Sequence, residues 1–244
     1  MNLLLMILTA VVVAILLAVL IVKFVPLKMR WLVSILLLAA TVFLGYKIWG
    51  GIMEPINFAK DKKVRYAKVI KNLKLIRDAE VKYKDVYGTY TNSKDSLLNF
   101  IQTGKLALTE TTNVEEEIDR GGGIKIKISK KKIDTIGYEP VMKYFEGKDY
   151  QNMFNVPGTD KQFELATSKV EKVAGLLVPV FEAKVSKTPI LAGMNNSLVK
   201  QELEAVETDQ IKGEFVSVGS LTEVTTGGNW PPYYDKGQVV AKED

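Results

Sequence analysis

Carboxylates, lysines, tyrosines and hydroxyls are the side chains through which this chain could do chemistry, because its 244 residues include no cysteine and no histidine. That excludes a disulfide framework, a thiolate nucleophile, thiolate- or histidine-ligated metal, the Ser-His-Asp arrangement and histidine pH switching. The remaining motifs are weak. Ser168-Lys169 and Ser186-Lys187 are adjacent pairs, not the Ser-x-x-Lys spacing that brings an amine to a serine hydroxyl one helical turn away. No GxxxxGK[ST] loop is present, and Gly121-Gly122-Gly123 precedes an alternating strand-like stretch instead of opening a helix, so it is wrongly placed to cradle phosphate. Glu115-Glu116-Glu117 would hold calcium only weakly and reads as a solvated loop. Lys125 and Lys127 with Lys130 to Lys132 form a basic patch, but no aromatic residues interleave with them for bases to stack on. These residues predict no enzyme, no cofactor, no metal, no small-molecule substrate and no nucleic-acid partner.

Charge is distributed in a way that points to a membrane. The formal net charge is +5, yet residues 1–50 contain Lys23, Lys28, Arg30 and Lys47 and no acid. From Lys60 to Lys84 ten bases meet three acids, and beyond Lys84 nineteen bases meet twenty-four acids. The chain is thus an apolar head, a basic stem and a mildly acidic body, and its basic isoelectric point is no argument for nucleic acid.

Residues 3–22 and 31–49 are apolar runs of about the length a helix needs to cross the hydrocarbon core. Between them Pro26 and the bases Lys23, Lys28 and Arg30 sit in a turn short enough for a transmembrane hairpin over residues 1–50. Trp31, Tyr46 and Trp49 fall at the ends of the second run, where amphipathic rings anchor at the interface, and Lys47 can snorkel outward. The first run lacks the basic start and cleavage site of a signal peptide, so two retained spans are expected. Neither run contains Asp or Glu, which makes them an anchor and not an ion pathway. The loop bases favour a body outside the cytoplasm, whereas Lys47, Lys60, Lys62, Lys63 and Arg65 favour the reverse. The expectation taken forward is a two-pass bacterial inner-membrane protein with a periplasmic body.

After Gly50-Gly51 and Pro55, a stem helix is expected over residues 51–87, its stripe of Tyr66, Val69, Ile70, Leu73, Ile76, Ala79 and Tyr83 recurring at three- and four-residue steps. That stripe packs either on the body or, through Tyr66, Ile70 and Leu73, on a partner. The body, residues 88–244, opens with Gly88 as a helix stop, a cap within Thr91-Asn92-Ser93 and a short helix through Phe100 and Ile101 closed by Gly104. A strand at 105–110, a loop at 113–123 and a half-buried alternating strand at 124–128 follow. Further strands are expected at 163–166, 176–185 and 214–218, and a helix at 196–206 with Leu198, Val199, Leu203 and Val206 inward. The fold class is α+β with a mixed or antiparallel sheet. The tail, Gly227-Gly228-Asn229-Trp230-Pro231-Pro232-Tyr233-Tyr234, either offers Trp230, Tyr233 and Tyr234 to a partner or caps the protein's own sheet.

The segment from Tyr66 to Gly104, with Ala79, Tyr83, Lys84, Gly88 and Tyr90 ahead of an Asp-Ser-Leu helix start, resembles the helix-to-loop junction of major pseudopilins of type II secretion systems. Unlike those proteins, this chain has two apolar runs and no prepilin cleavage signature. A resemblance over most of the body is to uncharacterised inner-membrane proteins of Bacteroidota. It rests on Ile52-Met53-Glu54-Pro55, Asn72-Leu73-Lys74-x-Ile76-Arg77, Phe163-Glu164-Leu165-Ala166, Val178 to Val185, Val218 to Glu223 and Gly228-Asn229-Trp230. The second resemblance supplies no activity; the expectation from the whole chain is a membrane-anchored, non-enzymatic scaffold of a secretion or surface-filament machine, whose partners are membrane lipid and other envelope proteins or further copies of itself. Two other readings stand beside it: a pilin-like filament subunit, and a cytoplasmic-facing adaptor whose basic stem binds anionic lipid.

Overall fold

The structure, a computed structural model, describes residues 3–24, 26–119, 125–207 and 209–236. The chain divides into two compact units, Met1–Asn57 and Phe58–Asp244.

In the first unit, helix α1 runs Leu3–Phe24 and a 3-10 turn at Leu27–Met29 leads into α2, which runs Arg30–Tyr87. Among the described residues, α2 is the one helix long and apolar enough to cross a membrane by length and composition; in α1 the described apolar stretch is Val11–Ile21. The expected break at Gly50-Gly51 and Pro55 is absent, since Pro55 lies inside α2. Pro55 has no N–H to donate to the Gly51 carbonyl one turn back, so the helix lacks that hydrogen bond there.

The second unit is α+β, with two small antiparallel sheets. Its centre is the stripe on α2. Tyr66, Val69, Ile70, Leu73, Ile76 and Ala79 are all buried, and the elements that follow cover them. Helix α3, Lys94–Thr103, begins at Ser93, whose hydroxyl accepts from the Ser96 amide at 3.2 Å, and it turns Leu97, Phe100 and Ile101 inward. Gly104 ends it, its amide donating to the Phe100 carbonyl at 2.7 Å.

Strands β1, Lys105–Asp119, and β2, Lys125–Pro140, form a two-stranded ribbon. At about 3.4 Å per residue each strand is roughly 50 Å long. The expected loop at 113–123 is therefore strand as far as Asp119, while Gly121-Gly122-Gly123 lies outside the described residues. So acidic a stretch is extended because it pairs antiparallel with the lysine-bearing β2, Glu115 lying 3.5 Å from Lys127. Ile128 is half-buried as expected, but Ile133, Ile136 and Tyr138 are exposed, at 66%, 66% and 70%. At its base the ribbon is tied by the Val141 amide to the Gly104 carbonyl, 3.0 Å, and by Leu106 against the core.

The second sheet orders β3 (Glu164–Glu171), β4 (Leu177–Ser186) and β5 (Phe215–Gly219) side by side, β4 in the middle. All pairings are antiparallel, which resolves the expected mixed or antiparallel sheet. Between β4 and β5 lie a short helical turn α4 (Lys187–Ile190) and helix α5 (Asn196–Leu203). The Asn195 side chain caps α5 by accepting from Ser197 and Leu198. The helix stops three residues short of Val206, which is exposed at 79%, and its buried residue is Glu202 rather than an apolar one.

Gly219 closes β5 in the left-handed region, φ 76°, and a Cβ there would lie 2.2 Å from the Phe181 carbonyl oxygen. Gly147 has a similar φ of 72° with nothing within 4 Å of its Cβ position. Gly147→Ala should therefore carry only the conformational penalty, about 1 kcal/mol. Gly219→Ala should carry that penalty and a backbone clash, about 3 kcal/mol or more. Urea unfolding of the full chain in detergent measures both, and equal losses would refute the close approach at Phe181.

Candidate functional site

The residues expected at a membrane interface are on the surface of the first unit. Trp31, Tyr46 and Trp49 are exposed, as are Lys23, Lys28 and Lys47, while Arg30 is half-buried. Lys47 Nζ lies 5.8 Å from the Phe43 ring centroid. The hydroxyls of Ser34 and Thr41 donate to the carbonyls of Arg30 and Leu37 at 3.0 and 2.8 Å, so these polar atoms are satisfied within the helix, as hydrocarbon requires.

The stripe and the tail, for which packing on the same chain and on a partner were both open, are packed within the chain. Tyr66, Ile70 and Leu73 are buried in the core of the second unit, and so are Trp230 and Tyr234. Tyr233 is half-buried, its ring 4.5 Å from that of Tyr234 and under the Lys63 ammonium at 5.1 Å. These aromatics are already covered by their own chain, so they offer no docking face. The tail folds back because Asn229 imitates a strand: its side chain accepts from the Ser217 amide at 3.0 Å and donates to the Phe215 carbonyl at 2.8 Å. Lys74 then holds the tail end through the Tyr234 carbonyl at 2.7 Å and the Asp235 carboxylate at 2.9 Å.

The group with the most chemical potential was missed by pattern. Lys187 is completely buried, and desolvation lowers its pKa against the opposing charge and hydrogen bond of Glu202. A lysine with a depressed pKa is what amine nucleophiles use. Here, however, Nζ donates to the Glu202 carbonyl at 2.8 Å, the Ile211 carbonyl at 2.5 Å and Glu202 Oε1 at 3.2 Å. All three ammonium hydrogens are engaged, and no solvent reaches them. Glu202 also accepts from Lys62 at 2.6 Å and from the Tyr66 hydroxyl at 3.2 Å. Burial first, and then the Glu202 charge, push the Tyr66 hydroxyl far above the ordinary phenol range. The cluster is a pin joining α2, α4 and α5, not a reaction centre. In sequence its only trace was the Ser186-Lys187 pair, whose hydroxyl caps α4 instead of meeting the amine.

Glu80 is the other buried charge-bearing group. Its Oε2 accepts from the Thr91 amide at 3.1 Å, and its Oε1 has no partner among the described residues. Burial pushes its carboxyl up to about 8, against the opposing Thr91 hydrogen bond. At neutral pH it is a protonated acid beneath the turn joining α2 to α3.

What remains on the surface of this unit is the ribbon and the open groove at its base. The groove has a volume of about 710 Å³ and lies between Lys82, Asp85 and Val86 of α2 and the β1 edge at Leu106 to Thr109. Tyr144 lines it, with Lys82 Nζ 3.3 Å from its ring centroid and its hydroxyl donating to Glu139. Glu139, held by Tyr144 and Lys143, titrates below the usual carboxylate range. The acidic triplet is divided: Glu115 is exposed and 3.5 Å from Lys127, and the side chains of Glu116 and Glu117 lie outside the described residues. Compared with family models, with curated proteins and with solved structures, the chain matches none.

Two outcomes follow from the buried charges. Glu202→Gln should cost about 3 kcal/mol by stranding Lys187, whereas Glu202→Leu combined with Lys187→Met should cost less than either single change, measured by a double-mutant cycle in urea. For Glu80, the folded state keeps its proton while the unfolded state loses it above 4.5, so stability falls as pH rises from 4.5 through about 8. The slope is about 1.4 kcal/mol per pH unit. Glu80→Gln should flatten that slope, melting above the wild type at pH above 8 and converging with it below 4.5.

Proposed function

We propose that this protein is a non-enzymatic scaffold of the bacterial envelope, anchored in the inner membrane by a two-pass hairpin and displaying its α+β body in the periplasm to other envelope proteins. The observation that carries the reading is where the second unit spends its reactive groups. Lys187, Glu202 and Tyr66 saturate one another out of solvent, while the ribbon leaves Ile133, Ile136 and Tyr138 exposed. Buried chemistry with exposed, extended apolar surface suits a protein that holds others. The apolar, acid-free surface of α2 over Trp31 to Trp49 supports the anchor.

A pilin-like filament subunit is the second reading, favoured by the continuity of α2 from its apolar beginning into the buried stripe. The adaptor reading is weakened by what the stem lysines do. Lys62 pairs with Glu202 and Lys63 covers Tyr233, so these two stem lysines are engaged within the chain.

Protease added to spheroplasts should digest the body from outside while intact cells protect it; protection in spheroplasts would refute the periplasmic placement. Sequencing the mature N-terminus separates the first two readings, since retention of Met1 and both apolar runs is incompatible with pilin processing. Cross-linking in native membranes followed by purification should recover defined heteromeric complexes, and recovery of this chain alone would count against a scaffold.

A further inference from the structure

The two outer edges of the ribbon differ in how they are guarded against pairing. Exposed edges invite strand addition, and proteins blunt them with lysines, prolines and bulges. β2 has two such devices. It carries Lys125, Lys127, Lys130, Lys131 and Lys132, and Ile136 is an extra residue between the Leu108–Gly137 and Thr109–Thr135 pairs, a bulge that disrupts a regular edge. β1 carries no inserted residue of its own and one lysine, Lys105, at its base. From Leu106 to Thr109 it has no charge and no proline, the register shift opposite Ile136 falls between Leu108 and Thr109, and the groove of about 710 Å³ is lined there by Leu106 to Thr109 together with Val86, Tyr138 and Glu139. Beyond that stretch come Glu110 and Glu115, both exposed.

We propose that the outer edge of β1 from Leu106 to Glu115 takes an extended segment of another protein as a third strand, apolar where it enters the groove beside Val86 and Leu108 and basic where it passes Glu110 and Glu115. The proposal rests on the scaffold reading and names the chemistry of its partner. Main-chain hydrogen bonds supply affinity in such strand addition, and alternate side chains supply specificity. Charge selects the sign. β1 holds five acids against one lysine, so an acidic strand is repelled and a lysine-bearing one is drawn in. The Glu115–Lys127 ion pair is no obstacle, because both side chains are about two-thirds exposed and such pairs are weak. A second copy would have to offer its β2 edge, the basic one, and that edge is broken by the bulge at Ile136. Antiparallel addition of that edge would also set two bodies about 10 Å apart, two strand spacings, which is too close for domains of this size.

The test uses the full chain in detergent and a labelled peptide with valines in one half and lysines on both faces of the other half. Binding should be saturable, weaken with salt, and slow amide hydrogen exchange over residues 106–115 while leaving β2 unchanged. Glu110→Lys with Glu115→Lys should weaken binding about tenfold while leaving the far-ultraviolet spectrum unchanged. Val86→Trp, which fills the groove from the α2 side, should weaken it independently. A peptide with proline at alternate positions, or one alternating valine and glutamate, should fail to bind. The proposal is overturned if the proline peptide binds equally, if protection falls on β2, if the charge reversals change nothing, or if the protein self-associates through β1. Heteromeric complexes recovered from native membranes alongside any of those results would leave the scaffold standing and place its partner elsewhere.

Discussion

A single amphipathic helix in water has no stable existence until its apolar stripe is covered, and the soluble unit is organised around that requirement. The stripe on α2 from Tyr66 to Ala79 is covered on several sides by Leu97 and Phe100 of α3, Phe145 after the ribbon, Phe181 of β4, and Trp230 and Tyr234 of the tail. The polar flanks of the same helix finish the job. Arg65 donates to the carbonyls of Ile190 and Ala192 at 2.8 and 2.9 Å, Asn72 to that of Asn155 at 3.0 Å, and Lys74 to that of Tyr234 at 2.7 Å. Each ties a loop, with few contacts of its own, to the one long rigid element. Two of the ten stem bases, Arg65 and Lys74, thus serve as donors for carbonyls that loops leave unpaired.

That use of the lysines alters what the charge distribution means. A stem with ten bases looks suited to anionic lipid when read as a line of residues. Once folded, Lys62 faces Glu202, Lys63 a tyrosine ring, Lys74 an aspartate and a carbonyl, and Lys82 the ring of Tyr144. A charge already neutralised or stacked contributes little to a distant surface, particularly across a Debye length of about 10 Å. In the stem, tertiary partners engage these bases, and net charge read along the chain does not register them.

The same distinction separates what was legible in the residues from what was not. The helical stripe, the Ser93 cap, the glycine closing α3 and the three strands of the β3–β5 sheet were all readable, because each is decided within a few neighbouring residues. The Glu115 region reads as a loop because an acidic run has poor strand propensity by itself, and its extension comes from antiparallel pairing with β2, which no neighbouring residue signals. Helix α5 was overextended to Val206 because the residue that the fold buries there is Glu202, whose partners Lys62, Tyr66 and Lys187 come from 136 to 140 residues earlier and from 15 earlier. Nothing local marks a carboxylate for burial when its cations arrive from another part of the chain.

The ribbon follows a different logic from the core. Two strands alone are marginal in water. Past the anchorage at Gly104, Leu106 and Val141, the described side chains of β1 and β2 bury little. Apolar cover cannot be what holds the strands together there. Opposite charges can contribute where they meet, as at Glu115 and Lys127, 3.5 Å apart, and the excess of acids on β1 and of lysines on β2, despite Asp134 and Glu139 on β2, has a second consequence. Mixed charges on both strands would give the same cross-strand attraction but two equivalent edges. Segregation gives the ribbon one acidic edge and one basic edge, so any strand that approaches is sorted by its own charge before a backbone hydrogen bond forms. Polarity built for cohesion between β1 and β2 thereby becomes polarity towards whatever lies outside them.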